Sequence, residues 1–500
     1  MPSSNSVLPL PPVPSLSLPL SSFANPSESS IVSSFIRNNQ LYKIVEPKWT
    51  AIYHSKMGTL IEKIINVKGA GVYSVAQTTA FQVSLTQPEA TNAYLVILWN
   101  AFTIPIPAVL VLICVTNIAL QPPSADVDEN KSFFFMILSI MSCVGCASAN
   151  TMGNFFPELQ FRFWSLLLIG ITFGTTFTLS TYILGHLIGF PVPFVGTYPV
   201  MPAFVTIFFV INRITRGSFE TLSNATERFV DYTKFQVVVL MTITIFPILS
   251  VLSAQAERPF FVFLMSISFP ISKLVLRYIV HHTVNRSNAH LDLASKMSIF
   301  TVEFFSSMYL AMMLRSGVTI WITGSIIVFD VLFNTVSAWK LYHIVKQLPR
   351  GIWNTTCTDP EMSKLRSKVL HISEYMLLSE YIECMVPLMY LLWMWNAIKG
   401  PNRQYWFGLQ SHEFSHQQAI TVSYSLLFLF LLEFISLLSL MIILKWKCNM
   451  PIFRQLVFIL RKDWGAIAAP LTYMLINAVL TQMEHFGYDY TYQFKWLYNN

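Results

Sequence analysis

Eleven stretches of this chain, at 92–119, 133–152, 163–190, 193–211, 235–254, 259–279, 298–314, 317–339, 369–397, 418–444 and 465–483, are apolar throughout most of their length. Most run near the ~20 residues that a helix needs to cross a hydrocarbon layer ~30 Å thick. Inside such a layer no water bonds the backbone, so each stretch must satisfy its own N–H and C=O groups, which a helix does. The expected fold is therefore all-α: a polytopic transmembrane bundle of about 11 helices, with the N-terminus on the cytoplasmic side. A chain of 500 residues that is 54% hydrophobic and 11% charged, with a mean hydropathy of +0.53, is excluded from the ordinary water-soluble domains.

Flanking segments differ in composition. Residues 1–48 open with a Ser/Pro-rich run that has no Lys or Arg before Arg37, which reads as a disordered cytoplasmic tail rather than a signal peptide. Residues 49–91 form an amphipathic, juxtamembrane segment, with Tyr53, Met57, Leu60, Ile61, Ile64 and Ile65 at helical spacing. The bundle is expected over 92–483, and 484–500 is a C-terminal tail on the non-cytoplasmic side.

Loop charge fixes the orientation, because Lys and Arg collect on the cytoplasmic side of short loops. With the N-terminus inside, 26 of the 32 basic residues fall on inner segments and helix ends, and six fall outside. Without the fourth span, interrupted by Pro193, Pro199 and Pro202, this alternation would invert, so the charge pattern argues that it crosses. The three acceptor sequons, at Asn224, Asn285 and Asn354, then lie in cytosolic loops and are expected to carry no glycan.

In the third span Gly170 and Gly174 repeat as Gly185 and Gly189, a stripe along which another helix backbone can approach. The expected use is packing within the chain, with homo-oligomer formation as the alternative. Cys143 and Cys146 in the second span read the same way, since nothing nearby completes a metal or redox site. Cys448, beside Lys445, Trp446 and Lys447, offers a palmitoylation position.

Six carboxylates lie within the apolar spans: Glu303, Asp330, Glu374, Glu380, Glu383 and Glu433. A charge at bilayer depth costs at least ~2.5 kcal/mol, so such residues face a bundle interior, a partner or a water path. Asp330, Glu380, Glu383 and Glu433 fall nearest the midplane. Glu380 and Glu383 share one face of the ninth span, while His371 and Glu374 lie on another. Two carboxylates one turn apart in a poor solvent cannot both ionise easily, which suits a proton relay or a cation-coupled site. Pro387, four residues after Glu383, frees a backbone carbonyl there. No Lys or Arg is assigned to the midplane; Lys273 and Arg277 are read as snorkelling to the inner surface.

His412-Glu413-Phe414-Ser415-His416 matches the pattern in which two His one turn apart hold zinc, so His412 and His416 are zinc candidates. A third ligand would have to come from Glu484, His485 or Asp489. The bland reading, polar residues capping a helix at the interface, is preferred, and no cofactor is expected. There is no Walker loop, no other catalytic signature and no nucleic-acid-binding pattern, so the chain is expected not to be an enzyme.

The run from His371 to Glu383 and the tail Glu484-His485-Phe-Gly487-Tyr-Asp489-Tyr-Thr-Tyr-Gln-Phe494-Lys-Trp496-Leu resemble an expanded group of uncharacterised multi-spanning membrane proteins of oomycetes. The resemblance covers the C-terminal third. It implies a membrane protein of similar layout and nothing about activity. Thr472-Tyr473 is similar to a pair in the last helix of insect-type gustatory receptors, but the spacing to Gln482 and the span count depart from that pattern.

The expectation from sequence is an integral membrane protein whose partners are the lipid bilayer and a small ion or solute. A proton- or cation-coupled secondary transporter or channel suits its carboxylates. A membrane receptor or sensor, and a structural membrane protein whose acids only pack, stand as alternatives.

Overall fold

The computed structural model describes residues 99, 101–156, 161–196, 198–214, 225–254, 259–284, 292–315, 320–348, 360–410, 414–450, 452, 453–462 and 464–488. The Ser/Pro-rich tail, the 49–91 segment, the three sequons and the end of the C-terminal tail lie outside these residues. The bundle belongs to a single compact unit, Ile61–Asn500.

Among the described residues there are twelve α-helices and no strand. They are α1 (Ile106–Thr116), α2 (Lys131–Phe155), α3 (Phe163–Ile188), α4 (Val200–Ile214), α5 (Ala225–Ala254), α6 (Pro259–Val284), α7 (Asp292–Arg315), α8 (Ile320–Val345), α9 (Pro360–Lys399), α10 (His416–Cys448), α11 (Ile452–Lys462) and α12 (Trp464–Leu480). A helix covers part of every expected span. Five stretches, in α2, α3, α5, α9 and α10, are long and apolar enough to cross a membrane.

Local chemistry explains several boundaries. At the start of α10, Ser415 Oγ accepts from the Gln418 amide at 3.2 Å, and the Gln418 side chain accepts from the Ser415 amide at 2.6 Å. This reciprocal box satisfies two amides that the first turn leaves without partners. The helix stops at Asn449, whose left-handed backbone (φ 49°) turns the chain toward α11. Hydroxyls on the outside of the bundle also bond within their own helices. Thr233, Thr244 and Thr335 each donate to the carbonyl four residues earlier, at 2.9, 2.9 and 2.7 Å.

Two expectations need correction. The fourth span was expected at 193–211, but residues 190–196 form turns and α4 begins at Val200. Its described part, 15 residues, rises ~22 Å. The stretch 445–462 contains the end of α10 and the short helix α11. Eleven residues containing basic positions are too few and too polar to register as a span. Second, Cys448 is buried, so its thiol is not presented for acylation.

The glycine stripe divides. Gly170 and Gly174 lie against α2, where an added Cβ would come within 2.2 Å of Cys146 Sγ and 2.3 Å of Ser142 Oγ. Gly185 faces Val127, and Gly189 ends α3 at φ 107°, a backbone setting that favours glycine. The stripe is thus an intramolecular seam for two glycines and a helix stop for the fourth.

At the centre stand α7 and α9. Every residue of α7 from Phe300 to Met313 is buried, and α7 packs against α5, α6, α9 and α12. Its partner α9 is buried from Val369 to Tyr390 apart from Tyr375 and Leu388, and it packs against α1, α7, α8 and α10. The outer helices carry exposed apolar stripes, such as Tyr424, Phe428, Leu431, Ile435 and Ile442 on α10.

One end of the bundle is closed by a cap. Residues 481–488, following α12, bond to three separate loops. Phe407 N donates to Gln482 O at 2.8 Å, and Trp406 bridges to Met483. Phe194 N donates to Gly487 O at 3.0 Å, and His485 Nε2 meets Gln121 O at 2.7 Å. Gln410 Nε2 donates to Glu484 Oε1 at 2.7 Å. Asn402 adds bonds to Thr116 O and Ile118 O at 2.8 and 2.6 Å. Gly487 must be glycine here: its φ is +60°, and a Cβ would lie 2.2 Å from Val192 O.

Candidate functional site

Five helices bring ionisable or amide side chains to one level of the interior. On α6, Lys273 and Arg277 are one turn apart and so share a face. Facing them, α7 presents Glu303 and α9 presents Tyr375, Ser379, Glu380 and Glu383; α8 adds Asn334 and α10 adds Glu433. Counted along their helices, Lys273, Glu303, Asn334, Glu383 and Glu433 lie ~18–25 Å from the helix ends on the capped side.

The geometry makes Glu303 the hub. Its Oε2 lies 3.0 Å from Lys273 Nζ, and its Oε1 accepts from Arg277 Nε. Lys273 also pairs with Glu383, so one ammonium bridges α7 and α9. The Arg277 guanidinium stacks 4.6 Å from the Phe333 ring centroid, and Tyr375 OH donates to Glu303 Oε1 at 3.4 Å. Asn334 Nδ2 donates to Glu380 Oε1. Lys273, Arg277, Glu303, Glu380, Glu383 and Glu433 are all at most 7% exposed, which places the whole group away from any surrounding solvent.

Lys273 and Arg277 therefore do not snorkel: they lie inside the bundle at the level of Glu303 and Glu383. Burial leaves them nowhere to extend, and Glu303 and Glu383 supply the countercharge. Removing one partner of a buried pair strands the other, at a cost of ~3–5 kcal/mol.

Beside these pairs, carboxylate oxygens of Glu380, Glu383 and Glu433 lie within 4.8 Å of one another. At that distance two like charges repel by ~3 kcal/mol even at an effective dielectric of 20. Among the described residues, Lys273 and Arg277 share this level with Glu303, Glu380, Glu383 and Glu433, and a proton or a bound cation would relieve the repulsion within the trio. Among the described residues, this trio is the group of His, Cys, Asp or Glu close enough to hold a metal ion.

The remaining candidates fall elsewhere. Glu374 is buried on α9, two turns from Glu380 toward the uncapped end. Asp330 stands on α8, one turn before Asn334, and its side chain lies outside the described residues. Pro387 sits inside α9, one turn past Glu383. His412 lies outside the described residues, whereas His416 is the exposed first residue of α10, with its ring 5.7 Å from that of Trp395. Glu484 and His485 are engaged in the cap. His485 donates from Nε2 to the Gln121 carbonyl, its buried Nδ1 has no hydrogen-bond partner among the described residues, and burial pulls its pKa down to about 4.

Sequence reasoning missed Lys273, Arg277, Asn334 and Tyr375 as members of the site. One signal was present: Lys273 and Arg277 are one turn apart, surrounded by Ile271, Leu274, Val275, Leu276 and Ile279. No family model, no curated protein and no solved structure matches this chain.

Proposed function

We propose that this is an integral multi-pass membrane protein that moves protons or a small cation through its bundle, along a path that passes Glu380, Glu383 and Glu433. The observation that carries the reading is the carboxylate trio beside the bridging Lys273 ammonium, buried among helices whose outer faces are apolar. Such a group changes its charge by taking up or releasing a cation, and its tie through Lys273 to Glu303 links that change to the packing of α6, α7 and α9. Glu374 and Asp330 extend the path on either side.

Eleven crossings with the N-terminus cytoplasmic belong to this proposal. The cap supports the alternation: the loops after α1, α3 and α9 and the segment after α12 meet at one end, as alternating crossings that include α4 require. The likeness to oomycete membrane proteins is consistent with this layout and adds no activity.

Proton flux into proteoliposomes under an imposed pH gradient, with the potential clamped, tests the reading. Glu380→Gln with Glu433→Gln should abolish flux and leave the protein folded, since Gln keeps the shape of each side chain and an acceptor oxygen for Asn334. Equal flux in wild type and the double variant would sink it. A structural reading draws on the same pairs: Glu303 meets both Lys273 and Arg277, which locks three helices. It predicts no flux in either protein with protons, Na⁺ or K⁺.

A further inference from the structure

At the end of the bundle opposite the cap, α11 lies between the last turn of α10 and the first turn of α12. Its buried residues, Ile452, Leu456, Ile459 and Leu460, occupy one side. By helical register Arg454 and Arg461 fall on the opposite side. Just before it, Lys445 and Lys447 are exposed in the last turn of α10, and between them Trp446 is 80% exposed. Lys445 Nζ stands 5.7 Å from the Phe453 ring centroid, which draws the two helices' basic and aromatic edges together. From Phe434 to Lys462 the chain has five basic residues and no acidic one.

We infer that this surface binds the headgroups of anionic phospholipids in the leaflet it meets. Charge complementarity commits it to that occupant. A short helix with one buried side, cations on the other and an exposed Trp beside it suits the depth at which phosphates meet acyl chains. The buried Gln455 ties the surface to the interior: its Nε2 donates to Leu370 O at 3.0 Å and to Ser373 Oγ at 2.7 Å, both on α9, the helix of Glu374, Glu380 and Glu383. Lipid held on α11 therefore steadies the uncapped end of α9. The inference rests on the membrane-spanning reading.

The test is thermal unfolding of the purified full chain in a neutral detergent, with added phosphatidylglycerol, phosphatidylcholine or glycerol phosphate. Phosphatidylglycerol should raise the unfolding midpoint by several degrees, as a ligand of the folded state does. The rise should vanish in about 1 M NaCl, where the screening length falls to about 3 Å. Replacing Lys445, Lys447, Arg454, Arg461 and Lys462 by Gln should remove most of it. Should that variant fail to fold, the exposed pair Lys445→Gln with Lys447→Gln should still reduce it. An equal rise with phosphatidylcholine, an equal rise with glycerol phosphate, or a full response in the folded variants would overturn the inference. A chain that stays monodisperse without detergent would instead overturn the membrane reading, which separates the two failures.

Discussion

Two neighbouring helices, α9 and α10, invert the rule that governs water-soluble proteins. In the most apolar 18-residue stretch of α9, 83% of the residues are buried; in that of α10, 33% are. Yet α9 holds His371, Glu374, Ser379, Glu380 and Glu383, whereas α10 has Glu433 as its one acidic residue. The more deeply buried helix is the more polar. In water the apolar side chain gains by leaving solvent. In hydrocarbon an apolar outer face loses nothing by being exposed, and the polar group gains by turning inward to partners. The contrast teaches that burial in this molecule is set by who needs a partner, not by who avoids water.

The comparison can be broken most severely at its polar end. Glu303→Ala takes from Arg277 its carboxylate partner while Lys273 keeps Glu383, and should cost ~3–5 kcal/mol, read as loss of monodisperse protein on size exclusion in detergent. Normal recovery of that variant would show that the interior tolerates Arg277 without its carboxylate, and the contrast would lose its basis.

Acid should act on the cap by the same logic. His485 has a folded pKa of about 4 against an ordinary 6.5, so between these values the unfolded chain holds the proton more readily. Stability is then full above pH 6.5 and falls progressively toward pH 4, by an amount on the order of 3 kcal/mol. Unfolding midpoints measured from pH 7 to pH 4 should show this slope, and His485→Gln should flatten it while keeping a donor for Gln121.

A third measurement sharpens the contrast within α10 itself. Leu426→Ala, on the buried side, opens a cavity and should destabilise by ~2 kcal/mol. Leu431→Ala, 52% exposed, should change stability by less than ~0.5 kcal/mol in detergent. Equal effects at the two positions would mean that the outward face of α10 is covered by protein rather than lipid.

Helix positions were largely legible because their signal is local: a long, mostly apolar run such as 418–444 needs no knowledge of its neighbours to announce α10. α11 was not, since its apolar run, 456–460, is only five residues long and is flanked by Arg454, Gln455, Arg461 and Lys462. Within the site, Glu380 and Glu383 could be paired from their spacing, and Glu433 by its depth. That Glu303 would be the hub could not be read, because its partners sit on α6, 26 and 30 residues earlier in the chain. The charge rule, which counts basic residues without asking what they meet, then assigned Lys273 and Arg277 to the wrong environment.

The cap joins residues made far apart in time. Gln121 waits for His485 across 364 positions, and Phe194 waits for Gly487. During synthesis the loops after α1, α3 and α9 are all in place before the segment that fastens them leaves the ribosome. Closure of that face is thus a late event that requires the loops after α1, α3 and α9 to be in register with one another, and a chain halted before residue 481 would present those loops unfastened.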